Sequence, residues 1–427
     1  MIEFSKEFLF GATLSAYPIE GDSFNCDWWR WEQRPGRIRD GASAHPGARH
    51  FEFALQDIEL AHRLGLRALV FEIEWSRVEP EEGQSNNLAM GHYVRIAEAM
   101  VQRGIEPIVV MHHATSPIWF ADSGGWHGKN AVGHFWRYAE TVINALAPIC
   151  RHWIPILEPL HVATQGYIQG CWPPGLHAPK LAYAAVANQF RAHRAVYESL
   201  KLARADARVG FSVRARRCAP SNNDSAWDLR MARREQERSV RLPLDGMVHG
   251  NWRSPFKSVD IDGGSVDFIV VSYDGPESVR FVWNKPKLEF AEVAGDAPPE
   301  ALHVGLEHTL LDLSHYGLPL LIAGAGIATA DDAERSRYLL EVCASIRRVQ
   351  TRGVKVFGFC YRSLLDSFEW DAGYSKRYGL VHVDRPTAAR TPNASAYLLK
   401  DIAEHSAIRP GAVARFSPGW TEQETKA

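Results

Sequence analysis

The sequence predicts an α/β protein built as a single (β/α)8 barrel. Eight short apolar runs recur along the 427 residues. Amphipathic helical stretches separate most of them, the pattern of a parallel sheet with helical crossovers. The first runs and the last helices read as parts of one ring, with no domain boundary between them. The chain is long for one domain, but barrels whose loops carry insertions reach this length. The expected division is a barrel over residues 1–408 and a polar tail over 409–427, punctuated by Pro and Gly and mobile at its end.

Taken in order, strands are expected at Phe8–Thr13, Ala68–Trp75, Glu106–His113, Trp153–Glu158, Arg208–Val213, Val266–Tyr273, Leu318–Gly324 and Val356–Leu364. Between them, Phe51, Leu55, Ile58, Ala61 and Leu64 fall on one helical face, as do Leu339, Val342, Cys343, Ile346 and Val349. Asp331, with Glu334 three residues on, has the spacing of a capping box for the second of these helices. The run W-I-P-I-L-E-P at Trp153 brings a single carboxylate, Glu158, to the expected C-terminal edge of a buried strand. Pro159 cannot extend a strand ladder there. An acid at that edge of a barrel strand reads as a working group.

Composition narrows the partner. The formal net charge is −2 with the two signs interspersed, so no global field selects nucleic acid or a membrane surface. A small-molecule ligand is expected. The six cysteines lie far apart without a C-x-x-C pair or metal-ligand spacing, which reads as reduced thiols in a cytoplasmic protein. The N-terminal residues lack the pattern of a signal peptide, and no apolar run reaches the ~18 residues a membrane helix needs. His112 and His113 read as pocket residues rather than metal ligands, because no third ligand follows at a suitable spacing. No metal or cofactor is expected. Trp28, Trp29 and Trp31 suit either ring stacking in a cleft or core packing.

Several segments together resemble one family. They are F-L-F-G-A-T at Phe8, E-W-S-R-V-E-P-E-E-G at Glu74, M-H-H-A-T-S-P-I-W-F at Met111, G-G-W at Gly124, G-Y-I-Q-G-C-W-P-P-G at Gly166 and S-L-L-D-S-F-E-W-D-A-G-Y-S-K-R-Y-G-L-V-H-V-D at Ser363. In this order they resemble glycoside hydrolase family 1, the β-glucosidase and β-glycosidase barrels. The resemblance implies retaining hydrolysis by two carboxylates about 5 to 5.5 Å apart, one the acid and base, the other the nucleophile. Glu158 matches the first. The nucleophile of the family's I-T-E-N-G motif falls on Gly324, within Ile322–Gly326.

Other positions of the same sugar subsite depart from the family as well. The arginine that contacts the nucleophile matches Val70, and the asparagine before the acid matches Leu157. The glutamine of Y-Q-I-E-G matches Pro18, the strand-six asparagine matches Ser272, and the tryptophan platform matches Arg362. His113, Tyr273, Glu369 and Trp370 match family positions that contact the sugar or the nucleophile, and Trp126 of the G-G-W segment is a further candidate for substrate binding. Glu72, Glu74 and Asp274 are candidate replacement carboxylates. Arg362 reads either as a clamp for an anionic ligand or as the partner of Glu72 in an internal ion pair, and a cationic neighbour would make Glu158 a poorer proton donor. Ordinary retaining hydrolysis is therefore not expected. Three functions remain: a glycosidase that works through Glu158 by an inverting or transfer route, a non-catalytic carbohydrate-binding protein, or a pocket repurposed for an anion through Arg362.

Overall fold

Eight parallel strands close on themselves in this computed structural model, which describes residues 2–253, 258–260, 263–280, 289–292 and 299–422. The strands are β1 (Leu9–Leu14), β2 (Ala68–Glu72), β3 (Glu106–Val110), β4 (His152–Ile154), β5 (Arg208–Pro220), β6 (Phe268–Arg280), β7 (Leu320–Ala325) and β8 (Val356–Tyr361). Each pairs with its neighbour in sequence, and β8 pairs with β1 to complete the ring. Strand periodicity explains why these runs are apolar throughout. In β2, Ala68 and Val70 face the barrel interior with Ile108, Val270 and Leu321, while Leu69 and Phe71 face the surrounding helices.

The outer layer includes α1 (His50–Arg63), α2 (Asn87–Gln102), α3 (Ala131–Leu146), α4 (Pro179–Ala203), α5 (Ala226–Gln236), α6 (Pro299–Leu313), α7 (Asp332–Thr351) and α8 (Ala394–His405). The stripe expected on α7 is buried throughout, and the Asp331 side chain caps the helix by accepting from the Ala333 N–H at 2.9 Å. The stripe expected on α1 is only partly right, because Leu55 is 50% exposed. Its place on the buried face belongs to Asp57, which accepts from Arg390 at 2.8 Å and pairs with His50 at 2.8 Å. Burial raises the pKa of this carboxyl, but hydrogen bonds from His50 and Arg390 more than offset that and hold it below the usual range.

Strand ends differ from the sequence expectation in ways that shape the site. β2 stops at Glu72 because Glu74 caps the helical turn Trp75–Val78. β4 stops at Ile154, where Pro155 follows. Glu158 then lies four residues past the strand with φ 49°, immediately before the turn Pro159–Ala163 and without a side-chain hydrogen bond to it. β5 and β6 run past the barrel as a paired ribbon, out to Pro220 opposite Val279. The expected polar tail is in part folded: Pro410–Phe416 is helical, and the Trp420 indole donates to Glu341 at 2.6 Å. Residues 423–427, its expected mobile end, lie outside the described residues.

Trp28 and Trp31 are buried with Tyr17, Trp172, Phe368 and Trp370 in an aromatic cluster at the barrel rim, and Trp29 packs against it, so core packing is their role. All six cysteines are free. Among the described residues no cluster could hold a metal ion, and no helix is long and apolar enough to cross a membrane.

Removing one partner of a buried ion pair strands the other charge. Asp57→Ala is therefore expected to lower unfolding stability by about 3 kcal/mol in denaturant titrations. Asp57→Asn, which keeps the shape and one acceptor oxygen, should cost less. The part of the stability that comes from Asp57 should be present above the unfolded carboxyl pKa of about 4 and fade as pH falls through the lower folded value.

Candidate active site

The C-terminal ends of the barrel strands open into a cleft of about 2860 Å³. Its floor receives residues from several strands: Val70 and Glu72 from β2, Arg214 from β5, Asp274 from β6, Gly324 from β7, and Arg362 immediately after β8. Glu158 enters from the loop after β4.

A chain of ion pairs crosses this floor. Glu158 lies 3.6 Å from Arg214, and Arg214 also pairs with Asp274. Asp274 accepts from Arg362 at 3.1 Å, and Arg362 donates to Glu369 at 2.6 Å. The second Glu369 oxygen accepts from the Ser367 hydroxyl at 2.6 Å. His161 approaches Arg214 from the turn that follows Glu158. Burial works against the charge on Arg362, yet Glu369, then Tyr378, Asp274 and Glu158, hold its pKa well above the usual guanidinium value. The guanidinium also lies over the Tyr378 ring, 4.3 Å from its centroid.

The expected internal pairing of Arg362 thus forms with other partners. Glu72 is not bonded to Arg362. It accepts from the backbone N–H of Ala16 at 3.1 Å. Burial and then the neighbouring charge of Glu74 push the Glu72 carboxyl well above its ordinary pKa. Arg362 is committed to two carboxylates, which weighs against its use as a free anion clamp.

Strand order explains why Arg362 can reach Asp274. β7 lies between β6 and β8, so a contact between residues at the ends of those outer strands passes over the end of β7. The residue there is Gly324, with φ 107°. It is the extra residue at a register break, where Ala323 pairs with Cys360 and Ala325 with Tyr361. A Cβ at Gly324 would stand 3.3 Å from the Ser272 hydroxyl. The absent side chain leaves the span between β6 and β8 to a salt bridge.

The structure separates the three candidate replacement carboxylates. Asp274 is held between two arginines. Glu72 lies at the floor with a raised pKa. Glu74 is corrected as a site residue: it is fully buried behind the cleft, where it accepts from Ser76 and Thr115.

Of the other expected contacts, His113, Glu369 and Trp370 line the cleft, while Tyr273 and Trp126 do not. Trp126 packs behind the wall, and its indole donates to His112 at 3.2 Å. Both ring nitrogens of His113 are buried and have no hydrogen-bond partner among the described residues. Burial, then the charges of Arg362 and Arg214, lowers its pKa to about 3. Trp370 stacks on Tyr17 at 6.1 Å and meets His113 edge-on at 5.4 Å.

Arg214 was absent from the sequence expectation because β5 was ended at Val213. Its signal was present: Ser212 and Arg214 continue the same face of the strand, and both line the cleft.

A family model, "Glycosyl hydrolase family 1", matches residues 1–264 and 284–408. A β-glucosidase A from Acetivibrio thermocellus is 26% identical over 95% of this chain and 99% of its own length. Among solved structures, a β-glycosidase from Pyrococcus horikoshii superposes with TM-score 0.89 at 32% identity, covering 97% of this chain and 98% of that one. A β-glucosidase from Thermotoga maritima in complex with glucoimidazole gives TM-score 0.89 at 25% identity, over 96% of this chain and 100% of that chain.

Side chains are disfavoured at positive φ. Gly324→Ala should therefore destabilise the fold by about 1 to 2 kcal/mol, to be read from denaturant unfolding.

Proposed function

Since the chain belongs to glycosyl hydrolase family 1, we propose that it is a carbohydrate-active barrel in which two-carboxylate retaining hydrolysis has been lost and the cleft serves to bind a small glycoside. The observation that carries this reading is the floor itself. Gly324 supplies no nucleophile, and the other family carboxylate, Glu158, belongs to the ion chain that runs through Arg214, Asp274 and Arg362 to Glu369. Retaining hydrolysis needs an attacking carboxylate opposite a proton donor. Here each acid of the ion chain is paired with a guanidinium, and none of them stands at position 324. Glu369 has one oxygen on Arg362 and the other on Ser367, so it has fewer lone pairs to offer a sugar.

Support for a sugar ligand comes from His113 and Trp370. The first offers two buried ring nitrogens with no partner among the described residues, the second an indole at the cleft wall. Solved relatives hold glucoimidazole and deoxynojirimycin, which supports a glycoside-like small molecule as ligand. The six free cysteines support a cytoplasmic setting.

A second reading keeps Glu158 in catalysis. Gly324 faces the cleft, and an external anion or water could attack there while Glu158 assists the leaving group, giving inversion or transfer. Added azide or formate distinguishes the two readings.

Calorimetry with glucosides and iminosugars should give binding heat, and an aryl β-glycoside assay on the unaltered protein should give no retained product. Azide-dependent glycosyl azide would establish the second reading. Efficient hydrolysis with retention would overturn both. Gly324→Glu is not expected to restore hydrolysis, because the new side chain would be strained at φ 107° and would meet Val70 and Arg362 where the family has an arginine and a tryptophan. His113 is neutral well above its pKa of about 3, so glycoside affinity should show no histidine step traceable to His113 between about pH 5 and pH 8. His113→Ala should weaken binding about tenfold, from the loss of one hydrogen-bonding group of about 1 kcal/mol or more.

A further inference from the structure

The β5–β6 ribbon that overruns the barrel carries α5, which forms an outer wall of the cleft. A hydrogen bond from the Cys218 backbone N–H to Gln236 at 3.0 Å ties the helix to the ribbon. Along α5, Trp227, Arg230, Met231 and Arg234 recur at spacings of three and four and so share one helical face. All four line the cleft. Trp227 is 46% exposed, and Arg230, Arg233 and Arg234 are exposed.

Charge distinguishes this wall from the floor. Floor arginines are matched by Glu158, Asp274 and Glu369. On the wall, Arg238 is paired with buried Glu235 at 2.6 Å. Arg230, Arg233 and Arg234 form no ion pair among the described residues, although Glu237 lines the same wall. Beyond the floor, cationic side chains lining the cleft outnumber acidic ones eight to four. The chain as a whole carries a net charge of −2, so the surplus is local. Guanidinium groups beside an exposed indole suit a ligand that combines an anion with a flat or ring-shaped apolar face.

We propose that the α5 wall is a second subsite, selective for an anionic, ring-bearing group joined to the sugar that occupies the floor. The ligand is then a glycoside whose attached ring carries a carboxylate, sulfate or phosphate. This deepens the carbohydrate reading above and rests on it for the inner half of the ligand. The two halves are tested separately.

The test is calorimetry on the full chain at low ionic strength with phenyl β-glucoside and its 4-carboxy, 4-sulfo and 4-phosphono derivatives. At least one charged glucoside should bind ten or more times tighter than the neutral one, and the tightest identifies the anion. The advantage should shrink several-fold at higher salt. In the triple variant Arg230→Gln/Arg233→Gln/Arg234→Gln it should fall to within twofold, while the neutral glucoside binds as before. All three positions are exposed, and circular dichroism verifies the fold of the variant.

Equal affinity for neutral and charged glucosides, or a preference that survives the triple variant, overturns the subsite and leaves the sugar reading standing. A sugar-free probe, naphthalene-1-sulfonate, covers the converse. If it binds and the triple variant abolishes that binding while no glucoside binds, the wall is an anion subsite and the sugar reading fails. If neither probe class binds, both are overturned.

Discussion

The site depends on a salt bridge that spans a strand without a side chain. Arg362 and Asp274 come from the strands on either side of β7 and meet at 3.1 Å above its end. In that position β7 presents Gly324, at a bulge with positive φ. A carboxylate there would compete with Asp274 and Glu369 for the Arg362 guanidinium and add a further negative charge to a floor that already holds three. The glycine and the arginine are therefore parts of one arrangement. An acid placed there alone would disturb it without supplying the surrounding groups that make an acid a nucleophile.

The same reasoning applies to the other residues around the floor. An arginine at position 70 would add a third cation beside Arg214 and Arg362, and Val70 instead packs with the apolar barrel interior. Replacing a buried charge pair by apolar groups is close to neutral in energy, whereas removing one member is costly. The floor thus retains buried charge, but redistributes it. Glu158, Asp274 and Glu369 face Arg214 and Arg362 along a line, and the end carboxylates are anchored differently. Glu369 has a hydroxyl donor, while Glu158 is placed by a left-handed backbone conformation before Pro159.

Much of this was legible in the sequence. The eight strands and the buried face of α7 follow from periodicity, and Gly324 is singled out as an expectation by the motif resemblance alone. Partner choice within the barrel was not legible in the same way. The sequence offers Glu72 as a partner for Arg362, but it cannot show that a backbone N–H from Ala16 satisfies Glu72. It also cannot show that Arg362 turns across β7 rather than across the barrel. Trp126 illustrates another limit: a motif places a residue near a site, and only packing decides whether its ring faces the cleft or supports His112 from behind. On α1, a buried Asp57 displaces Leu55 from the expected stripe because His50 and Arg390 both bond to it.

The largest difference between expectation and structure is the continuation of β5 and β6 beyond the barrel, and it lies where the cleft acquires its charge. Both strands were ended where their apolar runs stop, at Val213 and Tyr273. The ladder continues past a register shift between Ala215 and Arg217, because pairing between two adjacent strands sustains extended backbone after the apolar alternation has ended. Arg214 and Asp274 are the first residues after those runs, and they pair with each other. The same continuation that carries α5 outward as a wall thus begins with the two residues that link the fourth-strand acid to Arg362. The barrel fixes where the cleft opens, and the ribbon built on two of its strands sets the charge both at its floor and along its outer wall.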